Sequence, residues 1–332
     1  MRWLCTSLLL LRSLMPAALA QQAPLPEAST APWQRKHDYL ERVGNLQVLL
    51  EFYTDPGVEG APIAARIYGH LRQRQRDLAA IQRQFEAARQ KPSPLSGEAQ
   101  TLFQQLLNYC QWSARAFDPT DLPLREAWGF TPDSLSAQLP RTERLKAVLP
   151  KVNCQAMELE RVPPSLFLKQ ADLQLNWELF RRGWLIDQAL AQLQSPEISA
   201  ARVQIDQLAY YHRSPPDAPA WKVALPHPRE KNQTLDYLYL KDQALAIRGD
   251  YQDYFLSNGL RYSSLLDPRS GMPRREMMAV YVTAPAALDA EILAHAAAVL
   301  EEDGVKALLK SAGRATVYQI VERHGLLVPL RY

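Results

Sequence analysis

The stretch YSSLLDPRSGMP, residues 262 to 273, concentrates residue types that can bind a phosphorylated ligand. Arg269 offers a planar fork of N–H donors that fits a phosphate or a carboxylate. Pro268 sets the backbone for a turn, and Gly271 can adopt a left-handed conformation that brings the backbone close to a ligand. The same residues also form an ordinary Asp-Pro turn in which Arg269 pairs with Asp267. The stretch by itself leaves both interpretations open.

Helices that could position this loop are predicted from the spacing of apolar residues. Between Ile63 and Phe85 the apolar residues recur at helical spacing, with arginines and glutamines on the opposite face. A second helix is expected to open at Ser96, with Glu98 in its first turn. Further helices are expected over residues 179 to 193 and 288 to 301.

Strands alternate with these helices in the second half of the chain. Extended segments are predicted at residues 202 to 211, 221 to 225, 235 to 247 (two paired runs) and 279 to 283, with a terminal hairpin around His324-Gly325. The segment FDPTDLPLREAWGF, residues 117 to 130, is rich in proline and is expected to be a structured loop. This mixed order predicts an α+β fold with mixed or antiparallel sheets and packed helices.

The first residues have the features of an export signal. Arg2 precedes an apolar run, and the small-residue site Ala18-Leu19-Ala20 stands just before Gln21. The sequence therefore predicts a cleavable signal peptide at residues 1 to 20, a flexible Pro/Ala-rich leader at 21 to 42, and a single domain at 43 to 332. The expected location is the periplasm of a bacterium, and the alternative is a signal retained as an N-terminal anchor.

Charge and cysteine content limit the possible partners. Loss of the signal would remove Arg2 and Arg12 from a formal charge of +3, which leaves the mature chain nearly neutral. Without a long run of Lys and Arg, nucleic acid is not expected as a partner, and the protein should be peripheral to or free of the membrane. Cys110 and Cys154 could form one disulfide or remain buried thiols, and neither has zinc-site spacing.

Four segments in order resemble the ApbE family, the exported FAD:protein FMN transferases. They are FDPTDLPLREAWGF (117 to 130), RRGWLIDQAL (181 to 190), RGDYQDYFLSNGLRYSSLLDPRSGMP (248 to 273) and YVTAPAALDAEILAHAAAVL (281 to 300). The third is the most specific, since it matches a family pattern of the form SGDYERYF…RYSHIIDPRTG. The similarity covers about residues 45 to 325 and implies an ApbE-like, T-fold-related architecture.

The family resemblance also implies a reaction and a set of binding residues. A threonine hydroxyl of an acceptor protein attacks the diphosphate of FAD with the help of Mg²⁺, and AMP leaves while FMN becomes esterified to the protein. FAD and a flavin-acceptor protein are thus the expected partners. The residues that would bind the cofactor are Asp118, Thr120, Arg182, Gly183, Asp187, Gly249, Tyr251, Asp267 and Arg269.

Several positions depart from the family pattern. The catalytic position that is histidine in the family is Ser264 here, and a neutral serine is a poor proton acceptor near pH 7. The DLGGIAKGY-type run becomes NWELFRRGW, so Glu178 and Leu179 stand where the family has glycine. A VDLGGN-like run is replaced by VQIDQL, which has no glycine.

The metal ligands implied by the family resemblance fall on Glu291 and His295. These residues are four apart and would share one face of a helix. A Glu and a His can bind a metal, although this pair suits Mn²⁺ or Zn²⁺ better than the Mg²⁺ expected from the family. The alternative is an exposed i, i+4 pair on a solvated helix.

Two functions follow as hypotheses. The first is an FAD:protein FMN transferase-like protein that transfers FMN to a threonine of an exported acceptor, with impaired activity. The second is a catalytically inactive relative that keeps the fold and binds a nucleotide, a metal or a partner protein. A serine hydrolase is disfavoured because the sequence has no G-x-S-x-G motif.

Overall fold

The computed structural model describes residues 34–89, 91–131, 134 and 137–332. The predicted signal peptide and most of the predicted leader lie outside the described residues. The leader prediction is wrong at its C-terminal end, because Arg35–Val43 forms the first strand. Its polar sequence concealed a strand that buries His37 and Val43. The strand pairs with the next one along its whole length, and this pairing holds it in the sheet.

The α-helices of the described residues are α1 (Gly60–Ala87), α2 (Gly97–Trp112), α3 (Leu122–Trp128), α4 (Thr142–Val148), α5 (Arg181–Leu193), α6 (Ala287–Ala297) and α7 (Glu302–Ala312). Among them, α1, α2, α5 and α6 agree with the apolar spacing, whereas α4 and α7 were not predicted and α6 ends before the expected residue 301. The side chain of Ser96 caps α2 as expected, by accepting a hydrogen bond from the Ala99 N–H. Short 3₁₀ turns occupy Leu149–Lys151, Cys154–Ala156 and Trp177–Leu179.

The strands form one large sheet and several small ones. They are β1 (Arg35–Val43), β2 (Leu46–Thr54), β3 (Ser93–Pro94), β4 (Met157–Arg161), β5 (Pro164–Leu168), β6 (Ala200–Ile205), β7 (Leu208–His212), β8 (Trp221–Pro226), β9 (Thr234–Leu240), β10 (Gln243–Gly249), β11 (Tyr254–Ser257), β12 (Leu260–Ser263), β13 (Met277–Ala284), β14 (Thr316–Arg323) and β15 (Leu326–Arg331).

The large sheet has the strand order β1-β2-β6-β7-β10-β13-β14-β15. Every neighbouring pair in it is antiparallel, which confirms the α+β class with antiparallel sheets and packed helices. The terminal hairpin is also confirmed. The two runs at residues 235 to 247 are both strands, but they do not pair with each other. β9 pairs with β8 in a separate hairpin, and β10 lies between β7 and β13.

Strand β13 shows why the sheet sits at the centre of the molecule. All of its residues are buried, so both of its faces are covered. Val280 and Val282 pack into the large core shared with the helices. Tyr281 points the other way into a second core, which includes Trp221 of the β8–β9 hairpin. The helices and the hairpin therefore cover opposite faces of the sheet.

Helix α6 lies inside the molecule, against both α5 and the sheet. It is apolar almost all round, as expected of a buried helix. A side chain at Gly183 would place its Cβ 2.6 Å from the Cα of Leu288, so glycine is required for the close approach of α5 and α6. This burial rules out the alternative of an exposed Glu291–His295 pair, since Glu291 is buried.

The FDPT segment contains a helix where a loop was expected. Helix α3 begins at Leu122 with Pro123 in its first turn, where the missing N–H of proline does no harm. It ends at Gly129, whose φ of 75° places it in the left-handed region that terminates helices. The prolines thus mark the start of a helix.

None of the helices in the described part of the chain combines the length and apolar character that a membrane crossing requires.

Candidate functional site

The FDPT loop uses its acid to hold its own backbone. Asp118 is fully buried and accepts hydrogen bonds from the Thr120 N–H (3.0 Å) and the Thr120 hydroxyl (2.6 Å). It also accepts one from the Cys154 N–H at 3.1 Å, and Arg115 Nε lies 3.3 Å away. Asp118 and Thr120 were predicted to bind the cofactor, and here they fasten the loop to the chain around Cys154.

Cys110 and Cys154 form a disulfide bond beside this loop. The structure thereby decides between the disulfide and the buried thiols that the sequence left open. The sulfurs and the Asp118 carboxylate lie close enough together to suggest a metal cluster. Because both thiols are used in the disulfide, they cannot serve as the thiolates that a metal binds.

The Asp267 to Gly271 loop has the geometry of the ordinary turn. Both Arg269 Nε and Nη2 donate to Asp267 at 2.8 Å, so the guanidinium fork faces its own aspartate. These hydrogen bonds raise the pKa of Arg269. Gly271 has a φ of 73°, and its carbonyl accepts a hydrogen bond from Trp128 Nε1 at 2.8 Å. The loop is therefore docked on α3.

Ser264, at the position of the family histidine, is buried next to an arginine. Its carbonyl accepts a hydrogen bond from Arg125 Nη1 at 3.2 Å. Arg125 Nε in turn donates to Asp121 at 2.9 Å, and Asn176 donates to the same aspartate at 2.6 Å. Among the described residues the Ser264 hydroxyl has no partner that could accept its proton. A neutral serine at this position is a poor proton acceptor near pH 7.

Each carboxylate oxygen of Glu291 accepts a hydrogen bond from a protein donor. Its Oε1 accepts from Arg182 Nε at 2.7 Å and its Oε2 accepts from the Gly183 N–H at 2.7 Å. Burial raises the pKa of Glu291, whereas Arg182 and the Gly183 amide favour the carboxylate. Two donors, one on each oxygen, are the arrangement that an ionised carboxylate makes. Arg182 and Gly183 thus contact the predicted metal ligand directly.

His295 lies beside a second arginine. Its Nε2 is 3.1 Å from Nη1 of Arg248, a pair in which the guanidinium donates and the neutral imidazole accepts. Burial lowers the pKa of His295 well below its ordinary value, and the charges of Arg248, Arg125 and Arg182 lower it further. Burial, together with Arg125 and Arg182, also lowers the pKa of Arg248, to about 9.

These contacts do not fit a divalent metal ion at Glu291 and His295. Both carboxylate oxygens and the imidazole Nε2 face N–H donors, and the donors on the two side chains include two guanidinium groups. A metal ion on His295 Nε2 would have to displace Arg248, one on Glu291 would lie beside Arg182, and the charges of both arginines would repel it. The prediction of a Mg²⁺, Mn²⁺ or Zn²⁺ site therefore disagrees with the packing around α6.

Asp187 and Gly249 also have structural roles. Asp187 accepts hydrogen bonds from the N–H groups of Ala287 (2.7 Å) and Leu288 (2.9 Å), and so caps α6. Burial raises the pKa of Asp187 to about 7. A Cβ at Gly249 would lie 2.1 Å from the ring of Tyr251, so glycine makes room for that ring.

Tyr251 keeps a feature expected of a ligand-binding side chain. Its hydroxyl is buried and has no hydrogen-bond partner among the described residues. It lines a cavity of about 540 Å³ together with His227, Arg229 and Arg261. Both arginines are bound to Asp250, at 2.6 Å for Arg229 and 3.4 Å for Arg261.

The predicted site residues line different cavities. Arg182 and Glu291 line a cavity of about 50 Å³, Tyr251 lines the larger one, and Asp267 and Arg269 line a third of about 470 Å³. The structure thus brings Arg182, Gly183, Glu291 and His295 together. Of the two acidic loops (residues 117–121 and 267–271), the first reaches this cluster through Asp121, which is paired with Arg125 and acts on the charge of Arg248, whereas Asp267 and Arg269 line a separate cavity.

Sequence reasoning missed Arg248 and Arg125. Arg248 could have been found, because it stands where the family pattern SGDYERYF has serine, one residue before Gly249. The family has a small neutral hydroxyl at this position, beside the predicted metal site, and this chain has a positively charged guanidinium. Arg125 carried no comparable signal, since only the fold brings its charge close to His295 and Arg248.

Comparison with known proteins agrees with the fold and with the family resemblance. The ApbE family model matches residues 65–318. An FAD:protein FMN transferase of Vibrio cholerae is 26% identical over 234 residues, covering 70% of this chain and 69% of that protein. One from Escherichia coli K12 is 25% identical over 211 residues, covering 62% of this chain and only 60% of that protein.

Solved structures show the same architecture. The apo form of the Pseudomonas stutzeri flavinyl transferase ApbE aligns with a TM-score of 0.75 at 23% identity, covering 90% of this chain and 95% of that one. The ApbE protein of Thermotoga maritima aligns with a TM-score of 0.72 at 21% identity. With a family match over most of its length, this chain belongs to the ApbE family.

Proposed function

We propose that this protein is a diverged FAD:protein FMN transferase-like protein that binds a flavin nucleotide, and that its transfer of FMN from FAD to a threonine of an exported acceptor protein is impaired. The curated relatives in V. cholerae and E. coli are FAD:protein FMN transferases, which supports the ligand class and the existence of an acceptor. The low identity leaves room for a change in the chemistry.

One observation carries the proposed impairment. The two side chains at the implied metal positions, Glu291 and His295, are both bound by arginines. Attack on a diphosphate needs positive charge on its oxygens, which a divalent ion usually supplies. Here that charge could come only from guanidinium groups. They stabilise an oxyanion but do not coordinate an attacking and a leaving oxygen as a metal does.

The lack of a base supports the same conclusion. Removal of the proton from a threonine hydroxyl by a positioned base contributes about 10²- to 10⁴-fold to a rate. Ser264 cannot supply this effect, and its neighbour Arg125 is a cation that donates. The side chains around Ser264 are therefore suited to holding the loop and not to accepting a proton.

The alternative is a catalytically inactive ApbE-fold protein that binds a nucleotide, a metal or a partner protein. The unpartnered hydroxyl of Tyr251 beside a cavity of about 540 Å³ favours retained ligand binding. Of the three ligand classes, the arginines around α6 favour an anionic nucleotide over a metal.

The test uses the purified protein, FAD and a small acceptor protein that carries a D-x-x-[ST]-G-A-[ST] site. Flavin binding is followed by fluorescence, AMP release by chromatography, and covalent flavin by in-gel fluorescence, with EDTA, Mg²⁺ or Mn²⁺. We expect flavin binding, with transfer at least about 100-fold slower than by the V. cholerae relative under the same conditions. Transfer at the relative's rate would show that the site is competent.

A gain-of-function variant sharpens this test. The double variant Arg248→Ser, Ser264→His removes a cation and supplies a base, and it should raise Mg²⁺-dependent AMP release. Its matched control is Arg248→Ser, Ser270→His, which places the histidine on an exposed position of the same segment. Equal rates for the two double variants would refute the claim that the missing base at residue 264 limits transfer.

We also propose that the protein is exported to the periplasm. The apolar run before Ala20 and the Cys110–Cys154 disulfide support this location, because disulfides persist in oxidising compartments. Cell fractionation with a thiol-alkylation assay tests it. A protein found in the cytoplasm with both thiols alkylated would contradict the proposal.

A further inference from the structure

Arg248 carries a charge that its surroundings do not balance. Its Nη1 contacts only the neutral His295, and its Nε is buried without a hydrogen-bond partner among the described residues. Arg248 forms no ion pair with any carboxylate in the described part of the chain. The neighbouring arginines differ in this respect, since Arg125 is paired with Asp121 and Arg182 with Glu291.

An arginine in this position needs an anion. Removing a guanidinium from water is costly unless a negative charge and hydrogen-bond acceptors compensate for it. The charged groups that face Arg248 are Arg125 and Arg182, together with the carboxylates of Glu291 and Asp121. Because Arg125 and Arg182 are neutralised by their own carboxylates, the positive charge of Arg248 is left over.

The residues around Arg248 line a small cavity with both polar and apolar walls. Arg182, Gln207, Arg248, Gln252 and Glu291 line its polar part, and its volume is about 50 Å³. A single water needs about 10 to 15 Å³ of such space, so the cavity has room for a small oxyanion and not for a whole nucleotide. Both glutamine side chains can donate N–H groups as well. The Glu291 carboxylate does not repel an anion strongly, because Arg182 and Gly183 occupy both of its oxygens.

We propose that Arg248 and Arg182 bind a single phosphate group in this cavity directly, without a divalent metal ion. A guanidinium fork matches the geometry of phosphate oxygens, and charge-assisted hydrogen bonds of this kind are among the strongest in proteins. The ligand is inorganic phosphate or a phosphate of a nucleotide, held by the same chemistry. The proposal does not depend on flavin transfer, because it concerns only the binding of a phosphate group.

The test is isothermal titration of the purified protein with inorganic phosphate in the presence of EDTA. Parallel titrations with AMP and FMN show whether the phosphate is bound free or as part of a nucleotide. Arg248→Gln should weaken phosphate binding about 10- to 100-fold, the effect of losing a charged hydrogen bond. Arg248→Lys keeps the positive charge but loses the planar guanidinium fork. Its affinity for phosphate should lie between that of the wild type and that of Arg248→Gln.

The matched control is Arg202→Gln. Arg202 also has a buried Nε without a partner, but it is paired with Glu51 at 2.9 Å and lines a different cavity. Its substitution should leave phosphate affinity unchanged. If Arg248→Gln does not fold, the wild-type protein and Arg248→Lys still decide the question by the phosphate-dependent rise in Tm in EDTA.

Two outcomes would overturn the proposal. One is phosphate binding that requires Mg²⁺ or that Arg248→Gln leaves intact. The other is no binding of phosphate, AMP or FMN in EDTA, even if FAD binds through the larger cavity near Tyr251. Phosphate binding without any flavin binding would instead contradict the proposed function and leave this site standing.

Discussion

The two acidic loops and the cluster around α6 handle charge in opposite ways. In the loops, Asp118 is surrounded by donors from its own neighbourhood and Asp267 is clasped by Arg269. Around α6, Arg248 stays without a carboxylate among the described residues, while Glu291 and His295 are bound by arginines. The loops carry the strongest family signature, and the cluster carries the strongest departure from it.

The difference shows that a preserved motif can be preserved for folding. Side chains whose hydrogen-bonding groups are paired with each other stabilise a loop and have few free donors or acceptors with which to bind a ligand. A side chain with an unbalanced charge costs stability and is therefore a better sign of binding. Single substitutions in the two regions test this contrast through the free energy of unfolding.

Asp118→Ala should lower the free energy of unfolding by about 3 kcal/mol, because it leaves buried N–H groups of Thr120 and Cys154 without an acceptor. Urea denaturation of the oxidised protein measures this loss. Asp172→Ala is the matched control, since Asp172 also forms an ion pair, with Lys151, but is exposed. A loss as small as that of the control would mean that the FDPT loop is not held by Asp118.

Arg248→Gln should raise the free energy of unfolding of the ligand-free protein by about 1 to 2 kcal/mol. The substitution removes a poorly solvated charge and retains an N–H donor near His295, and replacing uncompensated buried charge is often stabilising. Urea denaturation in phosphate-free buffer with EDTA gives the value. A loss of stability comparable to that of Asp118→Ala would abolish the contrast between the two regions.

Asp187→Asn tests the pKa of the aspartate that caps α6. Burial raises the pKa of Asp187 from 3.8 to about 7, with a smaller contribution from the charges of Asp289 and Glu291. The folded protein therefore holds this proton more tightly than the unfolded chain. The stabilising effect is complete below pH 3.8 and is lost as the pH rises towards 7. Relative to Asp187→Asn, the wild type should lose about 1 kcal/mol or more over that range.

Thermal and urea unfolding of both proteins between pH 4 and pH 8 measure this difference. If the stability difference between the wild type and Asp187→Asn does not change with pH, the pKa of Asp187 is not raised, and its two N–H donors on α6 outweigh the effect of burial.

Arg269→Ala should change the free energy of unfolding by less than about 1 kcal/mol, because exposed ion pairs contribute little. Arg269 is more than a third exposed, and Asp267 keeps its hydrogen bond from the Arg269 backbone N–H. Differential scanning calorimetry is sensitive enough to detect the shift. A larger loss would mean that the Asp267 loop depends on its arginine as the FDPT loop depends on Asp118.

Much of the fold could be predicted because it depends on local pattern. The helices α1 and α5 and the terminal hairpin follow from apolar spacing. Strand β1 could not be predicted, because its mostly polar sequence gives no clear strand pattern. Only its pairing with β2 shows that it is a strand. The sequence predicts a loop where the structure has helix α3, because prolines at a helix start and in a turn look alike in a sequence.

The candidate site could be predicted in its position but not in its charge. The spacing of Glu291 and His295 placed both on α6, on one side of that helix. It gave no indication that Arg182 from α5 and Arg248 from β10 would meet them. The family pattern predicted the metal ligands, but the two arginines that hydrogen-bond to them lie far away along the chain.

The sequence by itself determined the family, the α+β class and the loss of the histidine at Ser264, because these are encoded in local patterns and residue identities. Only the tertiary structure decided that Cys110 bonds to Cys154, that Arg269 faces its own aspartate, and that Arg248 forms no ion pair within the described part of the chain. The physical reason is that disulfides, hydrogen bonds and ion pairs form only between atoms within a few ångströms of each other. Which charges come that close depends on how α3, α5, α6 and β10 pack together.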